Sequence, residues 1–464
     1  MRTNVLAALA ACILVSSPII AIEREEGKEP GKVQQYGMAL AGATLSNVVV
    51  FSFNHFVAKT EFSDISLETM KHNLSAKWQW DQSKYQTNQL GHPYQGVIYF
   101  TAARSNGLGF YESIPVAGFG SATWEVFAER CDPALNDLIQ TTIGGVALGE
   151  MFHRLYLEAA ATGNHFAFLV SPMSALNAWI NHDTPDPRGP DTGGPDTGGG
   201  NIREMDLIGG IGFARSIHTE IGGGDNYNTN TTPTLSSGII IAYGDPFGTE
   251  SSEPFEQFNF DVRVSGGLDH YECTFFSDGI LASRAPFDES DAKTSVGLAL
   301  NFDCVFTDTV RFTSNALTAS LCREREISET MTSRINAYAG WMMLGVGSFY
   351  DTESGLASDK VESFLNYGTG GTAKCSYSLD HSLLGSIEIG AKLYAMKIFP
   401  GTVERGDGAV FCQIYEANYS LPVTDNIAFF ARGTYSWEKC WLKETANQVR
   451  KTGDAAVGLK MSVK

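Results

Sequence analysis

Beyond Arg203, apolar residues recur at every second position, a pattern that strands use and helices cannot, and this constrains the fold more than any other feature. Phe258, Phe260, Val262 and Val264 alternate with Asn259, Asp261, Arg263 and Ser265. Ile387, Ile389, Ala391 and Leu393 alternate with Glu388, Gly390, Lys392 and Tyr394, and Ile427, Phe429 and Ala431 with Arg432, Thr434 and Ser436. Val457, Leu459, Met461 and Val463 carry the pattern to the C-terminus. Charges on one face and lipid-compatible side chains on the other, in runs of about ten residues, describe the wall of an antiparallel transmembrane β-barrel. Tyr415, Tyr419, Tyr435, Trp437 and Trp441 cluster toward the strand ends, as girdle aromatics do. At about 22 residues per strand and turn, roughly 260 residues make about twelve strands. A soluble sandwich or lipocalin-like barrel would use the same alternation inverted, with apolar residues inward.

The N-terminus fits that membrane reading. Arg2 supplies a positive charge, Val5 to Ser16 an apolar core, and Ala21 a small residue after which an export signal would be cleaved. Residues 1–21 are therefore read as a signal peptide directing the chain to the outer membrane, where the barrel-assembly machinery and membrane lipid become its partners. Leu9-Ala10-Ala11-Cys12 offers a competing lipoprotein box, but the apolar run continues past Cys12. The seven cysteines beyond it are scattered, with no C-x-x-C pair and no neighbouring histidine, so spacing indicates neither zinc nor a thioredoxin-like motif. They read mainly as small apolar residues, with one or two disulfides open. No metal or other cofactor is expected. A net charge of −19 without any basic stripe excludes nucleic acid, whose phosphates require clustered Lys and Arg.

Before the strands the period is helical and the character changes. Gln34 to Ala58 is long and apolar enough to span a bilayer, but Asn47, Asn54 and His55 interrupt it, which favours packing against other protein. Asp64 to Leu74 reads as a short amphipathic helix capped by Asp64 or Ser66. Between Trp78 and Arg154, charged and hydrogen-bonding residues sit inside otherwise apolar, glycine-rich runs, where each costs several kcal/mol (about 2–7 for a polar group) unless paired. Pro93 opens a helix that ends at Asn106-Gly107. Ser121, Glu125 and Glu129, at i, i+4 and i+8, would share one helix face beside Trp124. In the next helix Gly145 and Gly149 permit close approach, and Glu150, Arg154 and Glu158 share another face. Arg104, Arg130, Arg154, His92 and His153 are the cations available to these acids. The implied structure is a helical bundle with a buried polar network. His92, Glu125, Glu129 and Glu150 are its candidate catalytic residues; Asp81, Asn88, Tyr94, Arg104, Glu112, Ser121, Trp124, Asp137 and Arg154 are candidates for binding or structural pairing.

The order of these residues resembles a known family. Trp78-Gln79-Trp80-Asp81, Thr87-Asn88-Gln89 with His92-Pro93-Tyr94, Ala102-Ala103-Arg104-Ser105-Asn106-Gly107, Glu112-Ser113, Gly120-Ser121, Trp124-Glu125, Asn136-Asp137, Gly144-Gly145 and Gly149-Glu150 look like the bacterial domain of unknown function 3943. The resemblance covers roughly Leu67 to Leu157 and implies outer-membrane-associated strands in the remainder; it brings no reaction with it. A fainter likeness to VanZ-like membrane helices, through His, Trp-Glu, Asn-Asp and Gly-x-x-x-Gly, bears only on the bundle.

A tandem Gly-Pro-Asp-Thr-Gly repeat at Gly189 and Gly194 separates the two regions and cannot bury a core. The expected fold is thus α+β: signal peptide 1–21, helical domain 22–180 closed by a helix or strand from Phe166 to Ile180, linker 181–202 and barrel 203–464. Three functional classes stay open. The barrel, with the helical domain as plug or periplasmic bundle, would handle or pass a lipid or small solute; a Glu/His/Arg site would act on lipid or cell-wall material; or the whole would be a non-catalytic envelope scaffold.

Overall fold

A computed structural model describes residues 30–164, 166–181, 201–221, 226–228, 230–248, 253–268, 270–351, 362–402, 407–443 and 446–463. The expected signal peptide, Cys12 and most of the linker lie outside the described residues. The chain divides into two compact units, Met1–Gly200 and Asn201–Lys464.

The first unit is helical. Its elements are α1 (Lys32–Ser52), running on into a π-helical turn (Phe53–Ala58), α2 (Leu67–Ser75), α3 (His92–Arg104), α4 (Phe110–Phe127), α5 (Leu135–Ala161) and α6 (Pro172–Asn181). Local chemistry sets their boundaries. Ser66 caps α2 in a reciprocal pair with Thr69, so Ser66 and not Asp64 starts that helix. Pro93 sits in the first turn of α3, and Gly107 turns the chain out of it with φ +86°. Glu112 accepts the Gly109 N–H at 2.8 Å to begin α4. The segment from Phe166 closes the unit with a helix, α6. One side of α1 packs inward through Ala39, Ala43 and Asn47, whose amide donates to Gly120 O at 3.0 Å, while Val49 and Phe53 stay exposed. By length and composition alone, Lys32–Ala58 is apolar enough to cross a membrane.

The second unit is a closed antiparallel barrel. Its strands are β1 (Ile202–Ile221), β2 (Asn226–Asn228), β3 (Thr232–Tyr243), β4 (Phe258–Gly266), β5 (Tyr271–Glu289), β6 (Ala292–Thr307), β7 (Arg311–Ser328), β8 (Met331–Asp351), β9 (Glu362–His381), β10 (Gly385–Ile398), β11 (Gly408–Pro422), β12 (Ile427–Leu442) and β13 (Asn447–Ser462). Each long strand pairs with its sequence neighbours, and β13 returns to β1, with Ile211 opposite Val457, so that twelve staves close and leave no edge. The three-residue β2 pairs only with the end of β1. The strand count matches the sequence expectation.

Burial settles which face is which. Ile211, Phe213, Leu235, Ile387, Ile389, Phe429, Val457 and Leu459 point outward and are exposed, with Tyr415, Tyr419, Tyr435 and Trp441 among them. Arg263, Lys374, Arg432, Glu438, Arg450 and Asp454 are buried inside. A soluble barrel would invert this, so the lipocalin-like alternative fails. The interior charges are paired: Arg450 donates to Glu438 at 2.6 Å, Arg432 to Asp454 at 2.8 Å, and Lys374 to Asp303 at 3.0 Å and to Asp278. All seven cysteines of the described residues are free, with Cys412 and Cys440 in the barrel's buried apolar cluster, as small apolar residues would be.

The two barrel ends differ. Connections 290–291, 329–330, 382–384 and 423–426 are short and lie at the end where β1 begins and β13 stops, since Asp206 pairs with Ser462. In outer-membrane barrels the short turns face the periplasm. The longest connection, 244–257, joins strands at this same end, and the other end mixes short connections, 267–270 and 308–310, with longer ones such as 399–407.

Candidate functional site

The polar residues of the helical unit form two separate arrangements with opposite electrostatics. Where α3 and α5 run side by side, Glu150 is fully buried between two guanidiniums. Arg104 reaches it with Nε at 2.6 Å and Nη2 at 3.1 Å, and Arg154, one helical turn on from Glu150, with Nε at 2.9 Å. Burial opposes ionisation, but the two arginines outweigh it and hold the Glu150 carboxyl at about 2. His153 lies beside this group, and burial together with Arg104 lowers its imidazole to about 3, leaving it neutral. The Arg104 Nη1 also donates to Leu108 O at 2.6 Å, tying the α3–α4 turn to the pair.

The second arrangement lies near the other end of α3, where no Lys or Arg is ion-paired with any of its acids among the described residues. His92 opens α3, Glu125 lies near the end of α4, and Asp137 is in the first turn of α5. One nitrogen or oxygen from each lies within 4.8 Å of the others, and all three residues are buried. His92 Nε2 is 3.6 Å from Asp137 Oδ2. Each residue is anchored through another atom. His92 Nδ1 meets Thr141 Oγ1 at 3.2 Å, Glu125 Oε2 accepts the Ala134 N–H at 2.9 Å, and Asp137 Oδ1 accepts from Asn136 Nδ2 at 2.7 Å. Glu125 Oε1 is buried with no hydrogen-bond partner.

The electrostatic consequence is the reverse of that at Glu150. Burial, then the charges of Glu129 and Asp137, push the Glu125 carboxyl well above its ordinary range. Asp137 moves the same way through burial, Asp81 and Glu129. Burial lifts Glu129 to about 7, although Trp124 Nε1 donates to it at 2.7 Å, and burial lowers His92 to about 4. Acids poised in this manner are able to exchange protons near neutrality or to accept a cation.

The sequence candidates therefore separate. Asp81 flanks the second cluster: its backbone N–H donates to Asn136 Oδ1 at 2.7 Å, and its carboxylate accepts from Asn88 Nδ2 at 3.3 Å. Ser121 donates to the Asp137 carbonyl at 3.4 Å. Glu129 does not share a helix face with Ser121 and Glu125, because α4 ends at Phe127, and it reaches the cluster from the following turn. Tyr94 is 44% exposed on α3 and stands outside both arrangements. Glu112 is also outside, capping α4 and pairing with Lys32 at 2.6 Å on the surface. Sequence reading missed Thr141, Gln140, which donates to the motif residue Gln89 at 2.9 Å, and Tyr99, whose hydroxyl donates to Asn47. They look like ordinary helix residues until α3 and α5 are brought together. Spacing along the chain cannot reveal that His92, Glu125 and Asp137, drawn from three helices, converge within 4.8 Å.

Inside the barrel, a cavity of about 260 Å³ lies toward the short-turn end, lined by Arg203, Glu204, Arg334, Tyr338, Lys374, Glu388, Lys392 and Glu416. Toward the other end Val310, Phe312, Met342, Met396, Ile398, Val410 and Leu442 pack into a buried apolar cluster.

A twelve-stranded barrel with apolar outer wall and charged interior defines an outer-membrane-type β-barrel protein, carrying a helical unit N-terminal to it. Residues 77–173 match the family model described as Domain of unknown function (DUF3943), the family that the sequence motifs resemble. No curated protein matches the chain. Among solved structures the barrel is similar to the KdgM porin (9% identity, 55% of this chain and 99% of that chain, TM-score 0.22) and to the CymD monoaromatic hydrocarbon channel (9%, 56% and 89%, TM-score 0.22). A NanC porin structure is similar at 6% identity over 54% of this chain and 98% of that one, with TM-score 0.24.

Proposed function

We propose that the protein passes a small charged or zwitterionic solute across the outer membrane, with the periplasm-side cavity as the binding vestibule and the apolar cluster as the closure. The observation that carries this reading is the lining of the 260 Å³ cavity by groups of both signs, Arg334, Lys374 and Lys392 with Glu388 and Glu416. Such a wall suits a compact solute whose charges replace the wall's own pairing, and it disfavours an acyl chain, which would strand buried charges without compensation. Proteoliposome swelling in glycine against arabinose tests it. The double variant Met342→Ala, Met396→Ala, which thins the apolar closure, should speed glycine entry more than arabinose entry. Swelling no faster than that of protein-free liposomes in both wild type and double variant would discard solute passage.

A second reading belongs to the helical unit: proton-transfer chemistry on envelope material, with Glu125 or Glu129 as base beside His92. The buried His92, Glu125 and Asp137 cluster favours it. Incubating purified lipid and peptidoglycan fragments with wild type and Glu125→Gln tests it; equal product, or none, from the two proteins would remove it.

A further inference from the structure

Three helices bring together one imidazole and two carboxylates, and the residues fixing them are arranged in a particular way. Thr141, the Ala134 N–H and Asn136 hold one atom each of His92, Glu125 and Asp137. The remaining atoms include His92 Nε2 and Asp137 Oδ2, 3.6 Å apart and beyond ordinary hydrogen-bond length, and Glu125 Oε1, which is buried without a partner. Anchoring the far atom of each ligand is how proteins orient metal-binding side chains. An isolated buried carboxylate oxygen is costly, and this one has company: Asp137 is also buried, Glu129 is close by, and among the described residues no guanidinium or ammonium is ion-paired with any of the three. Elsewhere in the same unit Glu150 shows what a purely structural acid receives, two arginines.

We propose that His92, Glu125 and Asp137 form a binding site for a divalent transition-metal ion. An imidazole nitrogen with two carboxylate oxygens suits Zn²⁺, Mn²⁺ or Fe²⁺, whereas Mg²⁺ and Ca²⁺ prefer all-oxygen shells. Three protein ligands leave a coordination position for water or a substrate atom, as in metal sites that carry out hydrolysis. The ion supplies the positive charge that the cluster lacks, and it does so whatever the barrel conducts.

The test uses the full chain in detergent, stripped with chelator, loaded with Zn²⁺ or separately Mn²⁺, and dialysed before metal analysis. Wild type should retain about one ion per chain, and Glu125→Gln, Asp137→Asn and His92→Gln should each fall to background, while Glu112→Gln at the surface keeps wild-type content. Background content in wild type, or wild-type content in all three ligand variants, overturns the proposal. Because a ligand variant could lose metal by unfolding, X-ray absorption on Zn²⁺-loaded wild type provides a separate reading. One imidazole with oxygen neighbours supports the site; sulfur in the shell would assign the ion to exposed Cys131 or another thiol and overturn it.

Discussion

Gly96 of α3 and Gly145 of α5 meet backbone to backbone: a Cβ placed on Gly145 would lie 2.5 Å from the Gly96 Cα, and one on Gly96 would lie 1.8 Å from the Thr141 carbonyl oxygen. This contact sets the α3–α5 spacing, and on either side of it lie the two polar arrangements, His92 with Asp137 and Arg104 with Glu150. Alanine at either glycine has no flexible side chain to displace, only backbone. Gly96→Ala or Gly145→Ala should therefore cost at least the about 1–3 kcal/mol usual for overpacking. Urea titration followed by helical circular dichroism reads the loss; an unchanged midpoint for both variants would show that the helices can move apart without penalty.

Glu150 behaves as a keystone of charge, and its variants should show it. Replacing Glu150 by Gln removes the buried carboxylate that Arg104 and Arg154 both pair with, a loss of about 3 to 5 kcal/mol. Removing all three charges together with residues of similar volume, as in Arg104→Met, Glu150→Leu, Arg154→Met, should recover most of that loss. A triple variant no more stable than Glu150→Gln would mean that the arginines serve something beyond the pair. The two outcomes are separated by the unfolding midpoint alone.

The same region predicts an acid response with a definite sign. His153 is held neutral, at about 3, against an ordinary value of 6.5, so the unfolded chain binds the proton more readily and stability falls as pH drops from about 6.5 toward 3. Glu150, at about 2 against 4.5, adds a second loss between those two values. Both contributions are complete at pH 7. Relative to His153→Gln, the wild-type unfolding midpoint should decline as pH falls from about 6.5 toward 3, because the raised carboxyls around Glu125 titrate alike in both proteins and cancel in the difference. Identical pH profiles for wild type and His153→Gln would contradict the neutral buried imidazole.

At the barrel, Phe255 precedes β4 in the left-handed region, φ +64°, fully buried, with its ring over Gly279 of β5. A Cβ on Gly279 would fall 1.9 Å from that ring. Phe255 N–H donates to Ile280 O at 2.6 Å, so the ring cannot withdraw without breaking that backbone tie. Gly279→Val should reduce the heat-modifiable band that marks a folded outer-membrane barrel, while a Val substitution at Gly433, where nothing lies within 4 Å of a Cβ, should leave it intact. Equal folded fractions would mean that Phe255 has another place to go.

Legibility in the sequence tracked the range of the interaction. The barrel was readable because each strand declares its two faces locally: Arg432, Thr434 and Ser436 go in, Phe429 and Ala431 go out, and the count follows from length. The start of α3 at His92-Pro93 and the Glu150–Arg154 pair were readable for the same reason, being one turn or less in extent. Glu129 was misplaced because periodicity cannot show that a helix stops at Phe127. What stayed hidden needed a tertiary contact. The choice of partner for Glu150 over Glu125 depends on which end of α3 carries Arg104, and the anchoring of His92 by Thr141 depends on the Gly96–Gly145 crossing.

That division of roles makes Glu125 the residue whose loss should separate function from stability. Its Oε2 holds the Ala134 N–H at the start of α5, a bond that the amide oxygen of Gln can also accept, so Glu125→Gln keeps this anchor. The substitution also removes a buried carboxylate whose ionised form is opposed by burial and by Glu129 and Asp137. In metal-free protein the variant should be as stable as wild type or more so, because nothing in the cluster is left with an uncompensated charge. The barrel should assemble at normal abundance. In a deletion strain carrying the variant, the envelope phenotype of the deletion should persist, since an amide can neither take a proton nor neutralise a cation. Complementation at the wild-type level by stably assembled Glu125→Gln would deny this carboxylate any charge or proton role and leave the helical unit as scaffold.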